Sequence, residues 1–319
     1  MTEEILQVRD LVVYYHTPSG PVKAVDGVNF SLLKGERFGL VGESGSGKST
    51  TAWAIMRMIR PPGRIEGGTI QLGDIEIGQL SDDDIKKIRL ADIALVPQGA
   101  MNSLNPVMRI GDQLLDGIRS HQNGKSTAPA SDRLAELLAA VGLDTRVLRL
   151  YPHELSGGMK QRVCIAIAIS VDPKVIIADE PTSALDVVVQ RQIMQTLSNV
   201  QRRLGASILL VGHDMGLMAK FVDRLGVMYG GKLVEVGPVR DIFLEPKHPY
   251  TQLLISSLPS LEEKGSLRGI PGAPPSLLVP PSGCVFHPRC PSVMARCSMD
   301  VPAQTRVGPE RSVACHLYA

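Results

Sequence analysis

The chain has 319 residues, of which 44% are hydrophobic, and its 34 Lys and Arg residues nearly balance 32 Asp and Glu residues. This length predicts about two domains, and a net charge of +2 gives no overall electrostatic basis for binding nucleic acid. The longest apolar runs, such as Val163 to Ile169, are far shorter than the ~20 residues of a membrane-spanning helix. Since no secretory leader precedes the first strand pattern, we expect a protein that is soluble by itself and works in the cytoplasm.

Strand patterns come first along the chain. Residues 5–15 and 22–33 are rich in β-branched, leucine and aromatic residues and flank a turn-like sequence at residues 17–20, which predicts an antiparallel pair. Four short apolar runs then predict buried parallel strands, and ligands gather at the carboxyl ends of such strands. These runs are Arg37 to Val41, Ile93 to Val96, Val175 to Ala178 and Ile208 to Val211.

The rest of the chain predicts a helical insertion and a separate C-terminal region. Residues 100–155 carry helical patterning without a strong strand, which predicts an inserted helical subdomain at about residues 100–170. After about residue 237 the sequence is dense in proline, glycine and serine and holds four of the five cysteines. We therefore predict one domain at residues 1–236 and an irregular, loop-rich extension at residues 237–319.

A phosphate-binding loop is predicted between the first buried strand and the helical pattern that follows it. The sequence Gly42-Glu-Ser-Gly-Ser-Gly47-Lys48-Ser49 fits the P-loop pattern in its required context. In such a loop the backbone N–H groups turn toward one anion, the lysine reaches the outer phosphates and the serine hydroxyl binds Mg²⁺. The predicted ATP-binding residues of the loop are Gly42, Ser44, Gly45, Ser46, Gly47, Lys48, Ser49 and Thr50.

Two adjacent carboxylates follow the third buried strand. We predict that Asp179 binds Mg²⁺ together with Ser49 and Gln98, and that Glu180 orients and polarises the attacking water as general base. Gln98 follows the second strand, where it is predicted to sense Mg²⁺ or the water. His213 follows the fourth strand and is predicted to contact the γ-phosphate, although either residue taken alone would be an ordinary loop residue.

Further motifs identify the class of nucleotide hydrolase. The sequence Leu155-Ser-Gly-Gly-Met-Lys-Gln-Arg162 resembles the signature of ABC ATPases, and Ser183-Ala-Leu-Asp186 resembles their D-loop. The resemblance implies an α/β P-loop NTPase of the ABC ATPase fold, with a RecA-like core, an antiparallel β subdomain, an inserted α-helical subdomain and a small irregular C-terminal extension. It also implies a dimer in which each ATP lies between the P-loop of one subunit and the signature of the other. The residues implied to bind the ATP of a second subunit are Ser156, Gly157, Gly158, Gln161 and Asp186.

The same resemblance implies an aromatic side chain that stacks on adenine at the end of the first strand. Tyr15 is the candidate and Tyr14 is the rival. Adjacent side chains of a strand point to opposite faces, so only one of the two can face the base.

Nearly the whole chain is similar to the ATPases of oligopeptide and dipeptide importers. The stretches that carry this similarity are Asn102 to Pro106, Tyr151 to Ser156, Ala184 to Gln190 and His248 to Thr251. The sequence Gln98-Gly99-Ala100 departs from this family, which more often has an acidic residue and proline after the glutamine.

This resemblance implies an ATP hydrolase, coupled to transport, at the cytoplasmic face of the membrane. Its implied partners are a second ATPase, similar or identical, two transmembrane permease subunits and, indirectly, an extracellular substrate-binding protein, with no nucleic acid. One alternative is an importer of oligosaccharides, nickel or another small solute. Another is a soluble ABC ATPase of DNA repair or translation, but the sequence has neither a long coiled coil nor a second cassette. A scaffold with an inactive site is the third, and the intact Lys48, Asp179, Glu180 and His213 argue against it.

Four cysteines in the extension are enough to hold one Zn²⁺ or one [4Fe–4S] cluster, and their spacing alone does not distinguish the two. Similar extensions in peptide importer ATPases carry an iron–sulfur cluster, which makes the cluster our first prediction. Zinc, with His287 or His316 as a ligand, is the second, and unliganded thiols are the third. Cys164 lies in an apolar helical pattern and is predicted to be a small core residue. The predicted cluster ligands are Cys284, Cys290, Cys297 and Cys315.

Overall fold

A computed structural model describes residues 3–99, 103–121, 130–258 and 269–319 of the chain. The chain divides into two compact units, each assembled from separate stretches of sequence. We call the unit that contains the predicted P-loop the P-loop unit, and the other one the helical unit. The P-loop unit spans residues 6–32, 36–78 and 211–319, and the helical unit spans residues 1–5, 33–35 and 79–210.

Twelve strands lie in the described residues, and the four predicted buried strands are among them with nearly unchanged bounds. The strands are β1 (Glu4–Thr17), β2 (Gly20–Leu33), β3 (Arg37–Val41), β4 (Gly63–Leu72), β5 (Ile75–Glu76), β6 (Ile93–Val96), β7 (Val175–Asp179), β8 (Ser207–Val211), β9 (Arg224–Tyr229), β10 (Lys232–Pro238), β11 (Thr305–Gly308) and β12 (Arg311–Val313).

Nine α-helices lie in the part of the chain that the structure describes, and none of them is long and apolar enough to cross a membrane. The helices are α1 (Lys48–Ile55), α2 (Asp82–Ile88), α3 (Ile110–Arg119), α4 (Ala130–Ala140), α5 (Gly157–Ala168), α6 (Val187–Leu204), α7 (Met215–Phe221), α8 (Val239–Leu244) and α9 (Pro249–Ser256).

The P-loop unit contains two sets of paired strands. One is a sheet with the order β2-β1-β4-β5, in which β1 and β2 are neighbours, as the sequence predicts. The other has the order β11-β12-β10-β9-β3, with β3 parallel to β9 and the remaining pairs antiparallel. The extension therefore adds two strands through β10, although its composition predicts only irregular structure. These strands have four and three residues, too few for an alternating pattern to stand out in the sequence.

In the helical unit, β8, β7 and β6 are consecutive neighbours, and β6 runs parallel to β7. All five residues of β7 are buried, as its apolar sequence requires. Helices α3, α4, α5 and α6 pack against one another. The first three of these helices lie where the helical subdomain is predicted, but its bounds, like the domain boundary at residue 236, stay predictions.

The local sequence of helix α6 determines where the helix begins, where it ends and which face is buried. Asp186 caps its first turn, and Gly205, with φ of 64°, ends it in the left-handed conformation that suits glycine. The buried residues Ile193, Leu197 and Val200 recur every three to four positions and form its apolar face. The cap fixes the D-loop residue Asp186 at the start of this helix.

Candidate nucleotide-binding site

The P-loop connects β3 to α1, as the sequence predicts. Gly42 and Gly47 both have positive φ, and an added Cβ at these positions would lie 2.1 Å from the carbonyl oxygen of Met228 and 2.2 Å from that of Ala24. Only glycine fits there, so the backbone of the loop can stay tightly folded and approach a ligand closely.

Lys48 places a buried positive charge inside this loop. Its ammonium donates to the carbonyl oxygens of Gly42 and Glu43, each at 2.9 Å, and to Oγ of Ser46 at 3.3 Å. Because α1 begins at Lys48, the first N–H groups of the helix also lie at the loop, which gives it the chemistry of an anion-binding site. Of the other predicted loop residues, Ser44 and Gly45 are exposed, and Ser49 and Thr50 are half-buried.

Three residues predicted to bind Mg²⁺ or to act in hydrolysis lie in the helical unit. Asp179 ends β7 and is 1% exposed, and Glu180 follows it with φ of 43°, a conformation uncommon for residues other than glycine. Gln98 follows the neighbouring strand β6, and its Nε2 donates to Oε2 of Glu180 at 2.9 Å. The predicted base is thus held by the predicted glutamine. Ala100, where the sequence departs from the family pattern, and Asn102 lie outside the described residues.

His213 lies in the P-loop unit, two residues after β8, and is exposed. The next residue, Asp214, caps α7 by accepting a hydrogen bond from the Leu217 N–H at 2.9 Å. This cap fixes the turn on which His213 stands.

Ser156 caps the signature helix α5. Its Oγ accepts a hydrogen bond from the Met159 N–H at 3.3 Å, and the residue is exposed. Gly157, the first residue of the helix, is half-buried. Ser156 therefore presents an exposed helix N-terminus, while its predicted contact with the ATP of a second subunit stays a prediction.

The remaining residues predicted to act on a second subunit differ in exposure. Gly158 permits close packing of α5 on α6, because an added Cβ would lie 2.7 Å from Cγ1 of Val189. Asp186 is exposed and caps α6. Gln161 is only 4% exposed, which leaves little surface for a nucleotide, so its predicted role has less support than that of Ser156.

The two tyrosines proposed for adenine stacking have different neighbours. The Tyr14 hydroxyl donates to Oδ1 of Asp26 at 2.9 Å, and burial, followed by this hydrogen bond, raises the pKa of Tyr14 to about 12. The Tyr15 ring lies at Gly63 of the paired strand, where an added Cβ would be 2.7 Å from its Cε1. Both residues are half-buried, and the choice of Tyr15 stays a prediction.

Similarity to known proteins decides the family. The chain matches the family model of ABC transporters at residues 25–183 and that of the oligopeptide/dipeptide transporter C-terminal region at residues 234–297. It is 42% identical over 319 residues to the dipeptide transport ATP-binding protein DppD of Bacillus subtilis, covering 99% of this chain and 95% of DppD. It is 44% identical over 316 residues to the oligopeptide transport ATP-binding protein OppD of Escherichia coli, covering 98% and 93%. The chain belongs to the ABC transporter family.

Solved ABC cassettes share its fold. The dimeric structure of the ATP-binding cassette MJ0796, in a post-hydrolysis state bound to ADP and Pi, is 29% identical with a TM-score of 0.66 and covers 74% of this chain and 99% of its own. CbiO1 from Clostridium perfringens, part of the ABC transporter complex cbiONQ, is 26% identical with a TM-score of 0.63, covering 76% and 92%. The predicted ABC ATPase fold is confirmed.

The four cysteines of this ABC protein's extension lie in the P-loop unit, three of them buried and Cys290 half-buried. The Cys284 N–H donates to the carbonyl oxygen of Cys297 at 2.8 Å, and burial, with smaller contributions from the other three thiols, raises the pKa of Cys284 to about 11. Among residues 3–99, 103–121, 130–258 and 269–319, no group of three or more His, Cys, Asp or Glu side chains is arranged to hold a metal ion. The described residues therefore give no support of their own for the predicted iron–sulfur cluster or its zinc alternative, and both stay predictions.

The two histidines considered as zinc ligands contact the backbone. Nδ1 of His287 lies 2.9 Å from the Cys284 carbonyl oxygen, and Nε2 of His316 lies 2.8 Å from that of Asp300. The fifth cysteine, Cys164, is 4% exposed, and burial raises its pKa to about 12. Its predicted place in the core is confirmed.

The structure brings together Glu43, Tyr250 and Arg289 at the P-loop, and no sequence motif assigns these residues a role. The Glu43 N–H donates to the Tyr250 hydroxyl at 2.9 Å, and Nη1 of Arg289 lies 2.7 Å from Oε2 of Glu43. The partners are 207 and 246 residues away along the chain, so no local pattern reveals them. The sequence feature that could have drawn attention to Tyr250 is its place in the His248 to Thr251 stretch, which is similar to peptide importers.

Proposed function

We propose that this chain is the ATP-hydrolysing subunit of an importer of oligopeptides or dipeptides. The observation that carries the proposal is its 42% to 44% identity, over nearly the whole chain, to ATP-binding proteins of dipeptide and oligopeptide transport. The match of residues 234–297 to the C-terminal region of such transporters supports the same substrate class.

In this proposal the P-loop binds the phosphates of ATP through its N–H groups and Lys48, and Tyr15 stacks on adenine. The Ser49 hydroxyl, the Asp179 carboxylate and the amide oxygen of Gln98 would hold Mg²⁺. Their chemistry fits this ion, because Mg²⁺ prefers oxygen donors. When bound, Mg²⁺ neutralises negative charge on the phosphate oxygens.

Glu180 orients a water molecule and accepts its proton as the water oxygen bonds to the γ-phosphorus and the bond to the β-phosphate oxygen breaks. Gln98 supports this role by holding the Glu180 carboxylate through the 2.9 Å hydrogen bond. His213 contacts the γ-phosphate.

A second ATPase subunit, similar or identical, supplies the other side of each ATP in this proposal. Ser156, Gly157, Gly158, Gln161 and Asp186 are the residues that bind the ATP held by that second subunit. Support comes from the exposed cap of α5 and from Val187 and Val188, which directly follow Asp186 and are 80% and 67% exposed. Large apolar side chains at such exposure suit a contact with another protein.

Two transmembrane permease subunits and, indirectly, an extracellular binding protein complete the importer, with this chain at the cytoplasmic face of the membrane. Purification of the tagged chain from membranes tests the assembly. We expect two multi-spanning subunits to co-purify and ATP hydrolysis to rise when peptide-loaded binding protein is added. The binding protein without peptide and the Glu180→Gln variant are the controls. Recovery of ribosomes or DNA in place of membrane subunits would contradict the proposal.

The iron–sulfur cluster stays a prediction that rests on family resemblance alone. Anaerobic purification followed by iron and sulfide analysis tests it. Equal amounts of iron and sulfide would support a cluster at Cys284, Cys290, Cys297 and Cys315. Zinc without iron would exclude it, and absence of both metals would leave four thiols.

A further inference from the structure

The C-terminal extension holds the second residue of the P-loop, Glu43, at two points. The Tyr250 hydroxyl accepts the hydrogen bond of the Glu43 N–H at 2.9 Å. Arg289 binds the Glu43 carboxylate with both terminal nitrogens, Nη1 to Oε2 at 2.7 Å and Nη2 to Oε1 at 3.2 Å. Bidentate pairs of this kind fix both distance and orientation.

The Arg289 side chain is held on all sides. It is 6% exposed, against 24% for that of Glu43. Besides Glu43, it donates to the Tyr229 hydroxyl at 3.1 Å and to the carbonyl oxygens of Ile270 and Pro271 at 3.1 and 2.7 Å. A guanidinium with this many partners keeps one conformation, so its charge stays beside Glu43.

Three packed aromatic rings support both contacts. Tyr229 and Tyr250 have ring centroids 4.5 Å apart, and Phe286 lies 5.0 Å from the first and 5.4 Å from the second. All three are at most 1% exposed. Phe286 precedes Arg289 by three residues, so the same buried cluster positions the Tyr250 hydroxyl and the segment that carries Arg289.

We propose that Arg289 is a positioning residue of the P-loop, through which the C-terminal extension sets the affinity of this chain for ATP. Arg289 does so by neutralising the Glu43 carboxylate, which lies inside the loop that binds the phosphates. The Glu43 carbonyl also accepts a hydrogen bond from the Lys48 ammonium at 2.9 Å. The Arg289–Glu43 pair therefore lies next to the positive charge that attracts the phosphates. The inference rests on the proposed binding of ATP by this loop.

Equilibrium binding of a fluorescent ATP analogue to the full-length chain tests this inference. In Arg289→Gln an unneutralised carboxylate faces the phosphates, and we expect binding to weaken about tenfold. In Glu43→Gln the positive charge remains without its carboxylate, and we expect binding to tighten about threefold. The double variant loses both charges, and we expect it to bind within about twofold of the wild type.

Controls separate positioning from loss of folding. Arg296→Gln is the matched variant, because Arg296 is an exposed arginine of the same extension, directly before a cysteine as Arg289 is. It should bind ATP like the wild type, and thermal melting of every variant reports whether it folds. In the assembled transporter, Arg289→Gln should raise KM for ATP and leave kcat unchanged.

Three outcomes would overturn the inference. They are wild-type affinity in Arg289→Gln, no recovery in the double variant, and weaker or unchanged binding in Glu43→Gln. The Glu43→Gln result decides the matter even if Arg289→Gln does not fold. A wild-type chain that binds no ATP would instead contradict the proposed function.

Discussion

Gln98 and Glu180 are joined by a hydrogen bond of 2.9 Å, in which Nε2 of Gln98 donates to Oε2 of Glu180. The residues lie 82 positions apart but follow neighbouring parallel strands, β6 and β7. A carboxylate accepts up to about four hydrogen bonds, so this contact orients Glu180 and leaves it capacity to accept one from water.

Replacement of Glu180 by glutamine is expected to stop hydrolysis without preventing ATP binding. Glutamine preserves the shape of the side chain but cannot take the proton of water, so phosphate release should fall by at least about a hundredfold. ATP affinity should change by less than about threefold. Steady-state phosphate release by the assembled transporter and equilibrium ATP binding are the measurements.

Glu136→Gln is the control for this prediction. Glu136 is an exposed carboxylate of the helical unit, paired with Arg133, and its loss should leave turnover nearly unchanged. Normal hydrolysis by Glu180→Gln would show that another group accepts the proton.

Two glycine variants test the geometry of the P-loop. Gly47 and Gly45 both have positive φ, but an added Cβ at Gly47 meets the Ala24 carbonyl oxygen at 2.2 Å, whereas one at Gly45 meets nothing within 4 Å. We expect Gly47→Ala to abolish ATP binding and Gly45→Ala to weaken it by about tenfold or less, the effect of backbone strain alone. Equal ATP affinities of the two variants would contradict this account.

Acid should destabilise the protein through His248. This residue is 1% exposed, its Nδ1 accepts a hydrogen bond from the Tyr250 N–H at 3.0 Å, and burial lowers its pKa from 6.5 to about 3. Between about pH 6.5 and 3 the unfolded state therefore binds the proton and the folded state does not. The free energy of unfolding should fall as pH falls through this range, by up to about 1.4 kcal/mol per pH unit.

Urea unfolding at pH 7, 6 and 5 checks this prediction. His248→Asn keeps an acceptor for the Tyr250 N–H but removes the titrating group. We expect the variant to lose less stability than the wild type between pH 7 and 5. The same loss in both proteins would assign the acid sensitivity to other groups.

A buried ion pair should stabilise the packing of the extension within the P-loop unit. Nη2 of Arg311 lies 2.8 Å from Oε1 of Glu235, and the two side chains are 7% and 0% exposed. Glu235 also accepts the backbone N–H groups of Lys247 and His248, at 3.0 and 2.9 Å. Arg311→Gln leaves this buried carboxylate without its countercharge, which should cost about 3–5 kcal/mol.

The free energy of unfolding in urea measures this cost. Arg306→Gln, at an exposed position of β11, is the matched control and should change stability by less than about 0.5 kcal/mol. Equal destabilisation by the two variants would mean that the buried pair contributes no more than a surface arginine.

Features that depend on residues adjacent in the chain can be predicted from the sequence. The P-loop and the strand that delivers Asp179 each have a local pattern that fixes their structure. The burial of Gln161 and the contacts of Glu43 with Tyr250 and Arg289 depend on packing between distant segments. No periodicity or spacing reports such contacts, and the resemblance to peptide importers marked Tyr250 without giving it a role.

Photo-crosslinking from position 156 tests whether Ser156 of one subunit faces the ATP bound by the other. A photoreactive residue replaces Ser156 in the Glu180→Gln form of the chain, and the assembled transporter is illuminated with and without ATP. We expect an ATP-dependent crosslink to the P-loop of the other ATPase subunit, identified by mass spectrometry. A crosslink confined to the same chain, or one that is independent of ATP, would contradict it.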